Sequence, residues 1–394
     1  MSPEWLRPDR AVLATAVADT VVVASDGGAR EASLFYWELA QPWVRPVVEA
    51  VLRVEDVTIR EAARRLTRCP ADPSLHETLR RELLRAEDRA TAGVFELAWR
   101  AECNSRLGYH GGSRSCAPHQ DVAQALFDRV GSGPPLPRGA DPEILVIIPF
   151  RETSMAGSRV RNLLASLLAL RDQSLERDAY RVTVVESDEV PRWQRAIAPW
   201  ADSYVFAPKK GPFNKAWTVN VGVVNAPGSP ELVCVLDADI LIDRDFLARN
   251  AARFAVPGTG AHLPYRDALC LDPWTSETAI VERCERGAAA PALELLRGFL
   301  LRRPPGGCIW LRAEVFRRIA GMDERYEGWG GEDNDFAFRI DLDTPLDLHC
   351  DPLLHLHHPP VSFLVGGKPV NAVIPPLSWL PDTPIGLAKP FRSG

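Results

Sequence analysis

Residues 231–242 read ELVCVLDADILI. Every position up to Leu236 is apolar except the opening glutamate, and two aspartates then follow, two apart. A strand that is apolar on both faces must be covered on both faces, which is the condition of a parallel sheet in an α/β layer. The preceding chain supplies the rest of that layer. EILVIIPF (143–150) is another continuous apolar strand, GSRVRNLLASLLALRDQ (157–173) an amphipathic helix, YRVTVVES (180–187) a further strand and FNKAWTVNVGVVNA (213–226) a further helix. Strand–helix alternation of this kind predicts an α/β fold built on a mostly parallel sheet. Ligands of such sheets bind beyond the carboxyl ends of the strands. The residues at those ends are Pro149, Phe150 and Arg151, then Glu186, Ser187 and Asp188, then Asp237 and Asp239.

The chain has 394 residues, 46% of them hydrophobic and 25% charged, with a net charge of −6. That balance argues against a general binder of nucleic-acid backbone, which is normally basic. No apolar run approaches the length of a membrane span. The opening MSPEWLRPDR lacks a charged head with an apolar stretch behind it, so a cytoplasmic location is expected. Eight cysteines occur without a CxxC pair and are read as buried free thiols.

The sharpest break in composition is VGSGPPLPRGADPE (130–143), a linker signal. It suggests an accessory domain over 1–92, a helical segment and linker over 93–140, and the α/β domain over 141–394. In the first part, residues 14–34 read as two short strands around Asp26-Gly27-Gly28. Three helices follow, the second with Thr58 as N-cap and Glu61 completing a capping box. A hairpin followed by three short helices resembles the small winged-helix domains that hold leader peptides in peptide-modifying enzymes. A generic helical accessory domain fits the pattern equally well. Cys103, His110, Cys116 and His119 lie in the next segment at spacings that match no common zinc pattern.

Four stretches carry chemistry. Asp237 and Asp239 close together repel unless a cation compensates them, and strand alternation would put both on one side. A divalent ion with oxygen ligands would do so and leave positions open for a diphosphate. GWGGEDND (328–335) sets Glu332 and Asp333 at the start of a helix. Acids suit a helix N-terminus by themselves. The preceding Gly-Trp-Gly-Gly asks for more, since glycines permit close backbone approach and Trp329 offers a flat apolar face to a sugar. HLHHPP places His355, His357 and His358 together, and one of them near Asp239 would complete a metal site. In GPFNKAWTVNVG, Asn214 caps a helix and Lys215 reaches toward a phosphate or a ring.

Taken in order, PFR (149–151), FNKAWTVNVG (213–222), DAD (237–239), GG (306–307), GWGGEDND (328–335) and a late histidine resemble the GT-A, Rossmann-like catalytic domain of nucleotide-sugar glycosyltransferases. The likeness is to the β-1,4-galactosyltransferase group and spans residues 144–358. It implies that Pro149, Phe150, Arg151, Glu186, Phe213, Lys215, Asp237, Gly307 and Trp329 line the donor site. It implies that Asp239, supported by Asp237, binds Mn²⁺ or Mg²⁺ together with His355, or alternatively His358. It makes Asp333 the general base and Glu332 the group that holds the acceptor. Two departures stand out: Lys215 where arginine is usual, and a single Arg151 where an Arg-x-Arg pair is usual. The function so implied is inverting transfer of a hexose or N-acetylhexosamine from a UDP-sugar to a saccharide, peptide or natural-product acceptor. The alternatives are an inactive carbohydrate- or peptide-binding module and a sugar nucleotidyltransferase. PFRETSMAG is not the glycine-rich phosphate loop that the last more often carries.

Overall fold

The computed structural model describes residues 8–112, 135–137, 140–154, 157–328, 330–359, 364–365, 368–369 and 371–387. Trp329, Cys116, His119 and half of the 130–143 linker lie outside the described residues. The helices are α1 (Arg10–Ser25), α2 (Gly27–Ala32), α3 (Leu34–Arg53), α4 (Val57–Arg68), α5 (Pro73–Arg85) and α6 (Asp88–Asn104), followed by β1 (Leu107–His110). Next come β2 (Ile144–Phe150), α7 (Ser158–Arg171), β3 (Tyr180–Glu186), β4 (Ser203–Phe206), α8 (Lys215–Val224), β5 (Leu232–Leu236) and β6 (Ile240–Leu241). Further along are α9 (Phe246–Arg253), β7 (Ala261–Leu263), β8 (Asp267–Leu271), β9 (Gly298–Arg302), β10 (Cys308–Arg312), α10 (Ala313–Arg318), α11 (Glu332–Asp343), β11 (Leu346–Leu348) and β12 (Leu353–His355), besides a few shorter elements.

The chain forms two compact units. One is drawn from Met1–Ala117, Asp267–Thr278 and Ala292–Arg303, the other from Pro118–Arg266, Ala279–Pro291 and Pro304–Gly394. The first is mainly helical, as read, but the hairpin over 14–34 is absent and the winged-helix likeness loses its wing. Residues 10–25 are instead the central helix α1. Ala14, Val17, Ala18, Val21 and Val22 on it have no exposed surface. A helix buried all round shows no amphipathic period, so an apolar run such as TVVVA is indistinguishable from a strand by pattern. The Asp-Gly-Gly turn is a helix start: the Asp26 carboxylate accepts from the Gly28 amide at 2.9 Å. Asp56, and not Thr58, caps α4, accepting from the amides of Thr58 (2.8 Å) and Ile59 (3.2 Å). Long-range pairing completes the unit, with β1 antiparallel to β9 and β9 antiparallel to β8. Buried Arg297 joins this insertion to the helices. It pairs with Asp26 and with Asp272, and donates to the Tyr109 hydroxyl at 3.2 Å.

The second unit holds the expected sheet, in the order β11-β7-β10-β5-β2-β3-β4. The β4, β3, β2 and β5 strands run parallel. β10 is antiparallel to both β5 and β7, and β11 is parallel to β7. Leu145, Ile147, Val233 and Val235 of the sheet pack with Ala216 and Val219 of α8 and with Phe336 and Ile340 of α11. Gly222 lets α8 settle on the sheet, since a Cβ there would lie 2.8 Å from Val185 Cγ2. Cys234, Cys270 and Cys308 are buried free thiols, whereas Cys69, Cys103 and Cys350 are exposed, so only part of the thiol expectation holds. Among the described residues no helix is long and apolar enough to cross a membrane.

Arg297→Met should lower stability in urea unfolding of the full chain by about 3–5 kcal/mol, because it strands the buried Asp272 carboxylate and the half-buried Asp26 carboxylate. An unchanged midpoint would mean that the insertion is held by apolar packing alone.

Candidate active site

The two acidic motifs meet in the second unit, at the carboxyl end of β5. The chain leaves β5 at Leu236, turns through residues 237–239, and resumes as β6. The Asp237 amide donates to the Gly307 carbonyl at 2.9 Å, which ties the aspartate turn to the Gly-Gly segment. Because 237–239 is a turn and not strand, the alternation argument fails, and the two carboxylates take different partners. Asp237 turns to Lys215 and Asp239 turns to histidines.

The histidine side is built by pairing and by α7. β12 runs antiparallel to β6, with His355 opposite Ile240. The Leu356 amide donates to the Asp239 carbonyl at 2.8 Å. From α7, the Ser166 hydroxyl donates to Ile240 O at 2.7 Å and Asn162 Nδ2 to His357 O at 3.1 Å. Asp239 therefore faces His358 Nε2 at 3.0 Å and His355 Nε2 at 3.5 Å. Both candidate histidines reach it. Burial opposes ionisation of Asp239, but His355, His358 and Arg159 outweigh it and hold the carboxyl well below the usual range. Burial pushes the His355 imidazole down, toward its neutral, ligating form. The Oδ1 atom of Asp239 is buried without a hydrogen bond. One carboxylate and two imidazoles, with ligand atoms within 4.8 Å of one another, form a metal-capable group among the described residues. An orphaned carboxylate oxygen between two imidazoles fits a divalent transition ion such as Mn²⁺ better than Mg²⁺, which prefers oxygen ligands.

The acidic pair is joined to this turn through one lysine. Lys215 is the first residue of α8, whose N-cap Asn214 accepts from the Trp217 amide at 2.7 Å. Its Nζ lies 2.7 Å from Asp237 Oδ1 and 2.9 Å from Asp333 Oδ1. Burial disfavours the ammonium, but the Asp237 and Asp333 carboxylates outweigh it and raise Lys215 well above the usual range. Burial also pushes Asp237 up to about 6, Lys215 working against that rise and the Asp333 and Asp239 charges adding to it. Lys215 thus bridges the two motifs, a position that reading it as a nucleotide contact did not anticipate. Asp237 likewise belongs to this bridge and not to the Asp239–histidine cluster.

Glycines set the approach of the acids. A Cβ on Gly306 would lie 2.3 Å from Asp333 Oδ2, and one on Gly331 would lie 2.7 Å from Tyr326 Cε1. Gly330 and Gly331 hold positive φ of 105° and 99°, open to glycine and strained for other residues. The Gly328 amide donates to the Phe213 carbonyl at 2.7 Å, which binds the glycine turn to the segment before α8. Asn371 Nδ2 braces the same turn at Gly330 O, 2.8 Å away. Glu332 is buried and accepts from the Gly330 amide at 3.0 Å. Burial, with the adjacent Asp333 charge, pushes its carboxyl up to about 7.

The other strand-end residues differ in availability. Phe150 is buried and Arg151 Nη1 donates to Gly211 O at 2.7 Å. Glu186 is buried and accepts from the Tyr204 hydroxyl and from the amides of Arg192 and Trp193, so it organises the loop after β3. Arg159, Asn162 and Ser166 escaped the sequence reading because they sit inside an amphipathic helix. Their signal was polar residues on the buried face: Asn162 and Ser166 have no exposed surface.

Residues 302–344, the stretch holding Gly306, Gly307, Glu332 and Asp333, match the family model described as the N-terminal domain of galactosyltransferase. Among curated proteins there is no match. Solved structures similar to this chain include the mannosyltransferase PcManGT from Pyrobaculum calidifontis in complex with GDP-Man and Mn²⁺. It is 19% identical with a TM-score of 0.36, over 59% of this chain and 62% of that one. The Drosophila β-1,4-galactosyltransferase 7 complex with manganese, UDP-Gal and xylobiose is 19% identical with a TM-score of 0.32, over 55% of this chain and 71% of that one. The GalNAc-T7 complex with UDP, GalNAc and Mn²⁺ is 11% identical with a TM-score of 0.40, over 56% and 45%. The chain thus spans about 62% of the length of the first of these.

Gly306→Ala should push Asp333 off Lys215 and reduce turnover while leaving the thermal midpoint within a few degrees; unaltered turnover would separate Gly306 from the chemistry. The metal-free protein should also lose stability as pH rises from about 4.5 to about 7, because Glu332 binds its proton more tightly folded than unfolded. Unfolding in urea at the two pH values should show a smaller loss in Glu332→Gln. An equal loss would place that pH dependence on another group.

Proposed function

We propose that this protein is a metal-dependent glycosyltransferase that moves a hexose or N-acetylhexosamine from a nucleoside-diphosphate sugar, a UDP-sugar in the first instance, to a hydroxyl-type acceptor with inversion. The observation that carries the reading is the junction of two motifs in one place: the Asp239–His355–His358 cluster and the Glu332–Asp333 pair, linked through Asp237 and Lys215. The galactosyltransferase match over 302–344 supports it.

The chemistry needs two things at once. A sugar leaving a nucleoside diphosphate sheds negative charge onto the phosphates, and a divalent ion held by Asp239, His355 and His358 would stabilise that charge. The attacking hydroxyl must lose a proton as it bonds to the anomeric carbon, and Asp333 is the carboxylate assigned to receive it. Gly306 and Lys215 hold Asp333 in place for that transfer. Glu332, protonated or not near neutral pH, is suited to hydrogen-bond an acceptor hydroxyl from either side of that exchange. Attack opposite the leaving diphosphate inverts the anomeric centre, whereas Asp333 as a covalent nucleophile would retain it. The acceptor class is a saccharide, peptide or natural product.

Incubation with Mn²⁺ and a panel of nucleotide sugars tests the reading. Release of UDP or another nucleoside diphosphate is predicted, abolished in Asp239→Ala. Asp333→Asn should keep donor binding yet lose about 10²–10⁴ in turnover. Binding without release would support the inactive binding module, and pyrophosphate from UTP and a sugar phosphate would support the nucleotidyltransferase.

A further inference from the structure

Arg159 is the second residue of α7 and stands at the edge of the Asp239–histidine cluster. Its Nη2 donates to His358 Nδ1 at 2.9 Å, and its Nη1 lies 3.9 Å from Asp239 Oδ2. Arg161, on the next exposed position of the helix, donates instead to the carbonyl of His357. Arg159 is thus the guanidinium directed at side chains of the cluster, and its side chain keeps about a quarter of its surface exposed.

The direction of this hydrogen bond matters. A guanidinium has donors only, so His358 Nδ1 accepts and the ring proton of the neutral imidazole sits on Nε2. Nε2 is the atom turned toward Asp239, 3.0 Å from Oδ2. An imidazole that ligates through Nε2 carries its proton on Nδ1 and gives it to an acceptor. That acceptor is present, since Pro359 O lies 2.9 Å from Nδ1. The cluster therefore has two self-consistent arrangements. In one, Arg159 donates to Nδ1 and lends positive charge to Asp239. In the other, Nδ1 donates to Pro359 O and Arg159 gives up its bond to Nδ1, its Nη2 lying 3.4 Å from that same carbonyl.

We propose that Arg159 is a charge placeholder: it balances Asp239 before a divalent cation binds, then turns its guanidinium to the diphosphate of the incoming nucleotide. This inference rests on the reading of the site as a metal-dependent, nucleotide-diphosphate site. A cation beside Asp239 repels the guanidinium, and a diphosphate beside that cation offers two oxygens to its fork.

Calorimetric titration of the full chain with Mn²⁺ alone, then with UDP at saturating Mn²⁺, tests this. R159Q should bind Mn²⁺ about fivefold or more tightly without nucleotide, as a competing charge is removed. It should bind UDP about tenfold or more weakly, with the loss of a charge-assisted contact. R159K keeps a point charge but no fork, so Mn²⁺ affinity should stay near wild type while UDP affinity falls. Weaker Mn²⁺ binding by R159Q would make Arg159 a brace for the histidines and overturn the proposal. Wild-type UDP affinity in R159K would overturn it too, even if R159Q does not fold. If the unaltered protein binds neither Mn²⁺ nor UDP, the reading of the site itself falls. If it binds both and R159Q behaves identically, only the placeholder role falls.

Discussion

One ammonium holds the site together. Lys215 Nζ lies between Asp237 and Asp333, two carboxylates far apart in the sequence, with Asp239 and Glu332 close by. Four acids gathered in one partly buried place would repel without compensation. The lysine, the two histidines and Arg159 provide it. Removing the lysine's charge would leave the half-buried Asp237 and Asp333 carboxylates facing one another without a partner, an arrangement that costs stability. The rest of the second unit can be understood as what is needed to bring that amine and those carboxylates to one point.

The sheet accomplishes most of this. Parallel β2, β3 and β5 end on the same side, and α8 enters beneath the glycine turn with its first residue as the bridge. The Asn220 amide group, buried in mid-helix, binds Met322 O and Glu324 Oε1, so α8 is fastened to the chain that leads into the glycine turn. The Glu324 carboxylate also accepts from the Gly386 amide, which draws in the C-terminal segment. The β6–β12 pairing brings His355 to Asp239 by ladder register and not by side-chain chance. Such positioning on regular elements suits a site whose parts must keep fixed distances.

Much of this was legible in the chain. Continuous apolar strands ending in polar residues disclosed the sheet and the edge at which to look. The glycines of Gly-Trp-Gly-Gly disclosed a close approach, which at Gly331 the structure assigns to Tyr326, whereas the approach of Gly306 to Asp333 was not read. Three things were hidden, each for a physical reason. Helix α1 is buried over most of its surface from Ala14 to Val23, so its valines carry no helical period. The Asp-Ala-Asp segment is a turn, so strand alternation, which put both carboxylates on one side, did not foresee that Asp237 pairs with Lys215. The polar residues of α7 serve carbonyls and imidazoles that belong to segments about two hundred residues later, and no local pattern reports a partner that distant. The first unit was obscured in the same way, since β8 and β9 reach it from the far side of the α/β sequence.

The proposed function requires a cation on Asp239, His355 and His358 to face the Glu332–Asp333 pair across a bound donor. The most direct measurement is a crystal structure of the protein with Mn²⁺ and UDP, with the ion located by its anomalous scattering. The account predicts one anomalous peak bounded by Asp239, His355 and His358, with the diphosphate lying between that ion and Asp333. A peak on other ligands, or a diphosphate on the face turned away from Asp333, would contradict it.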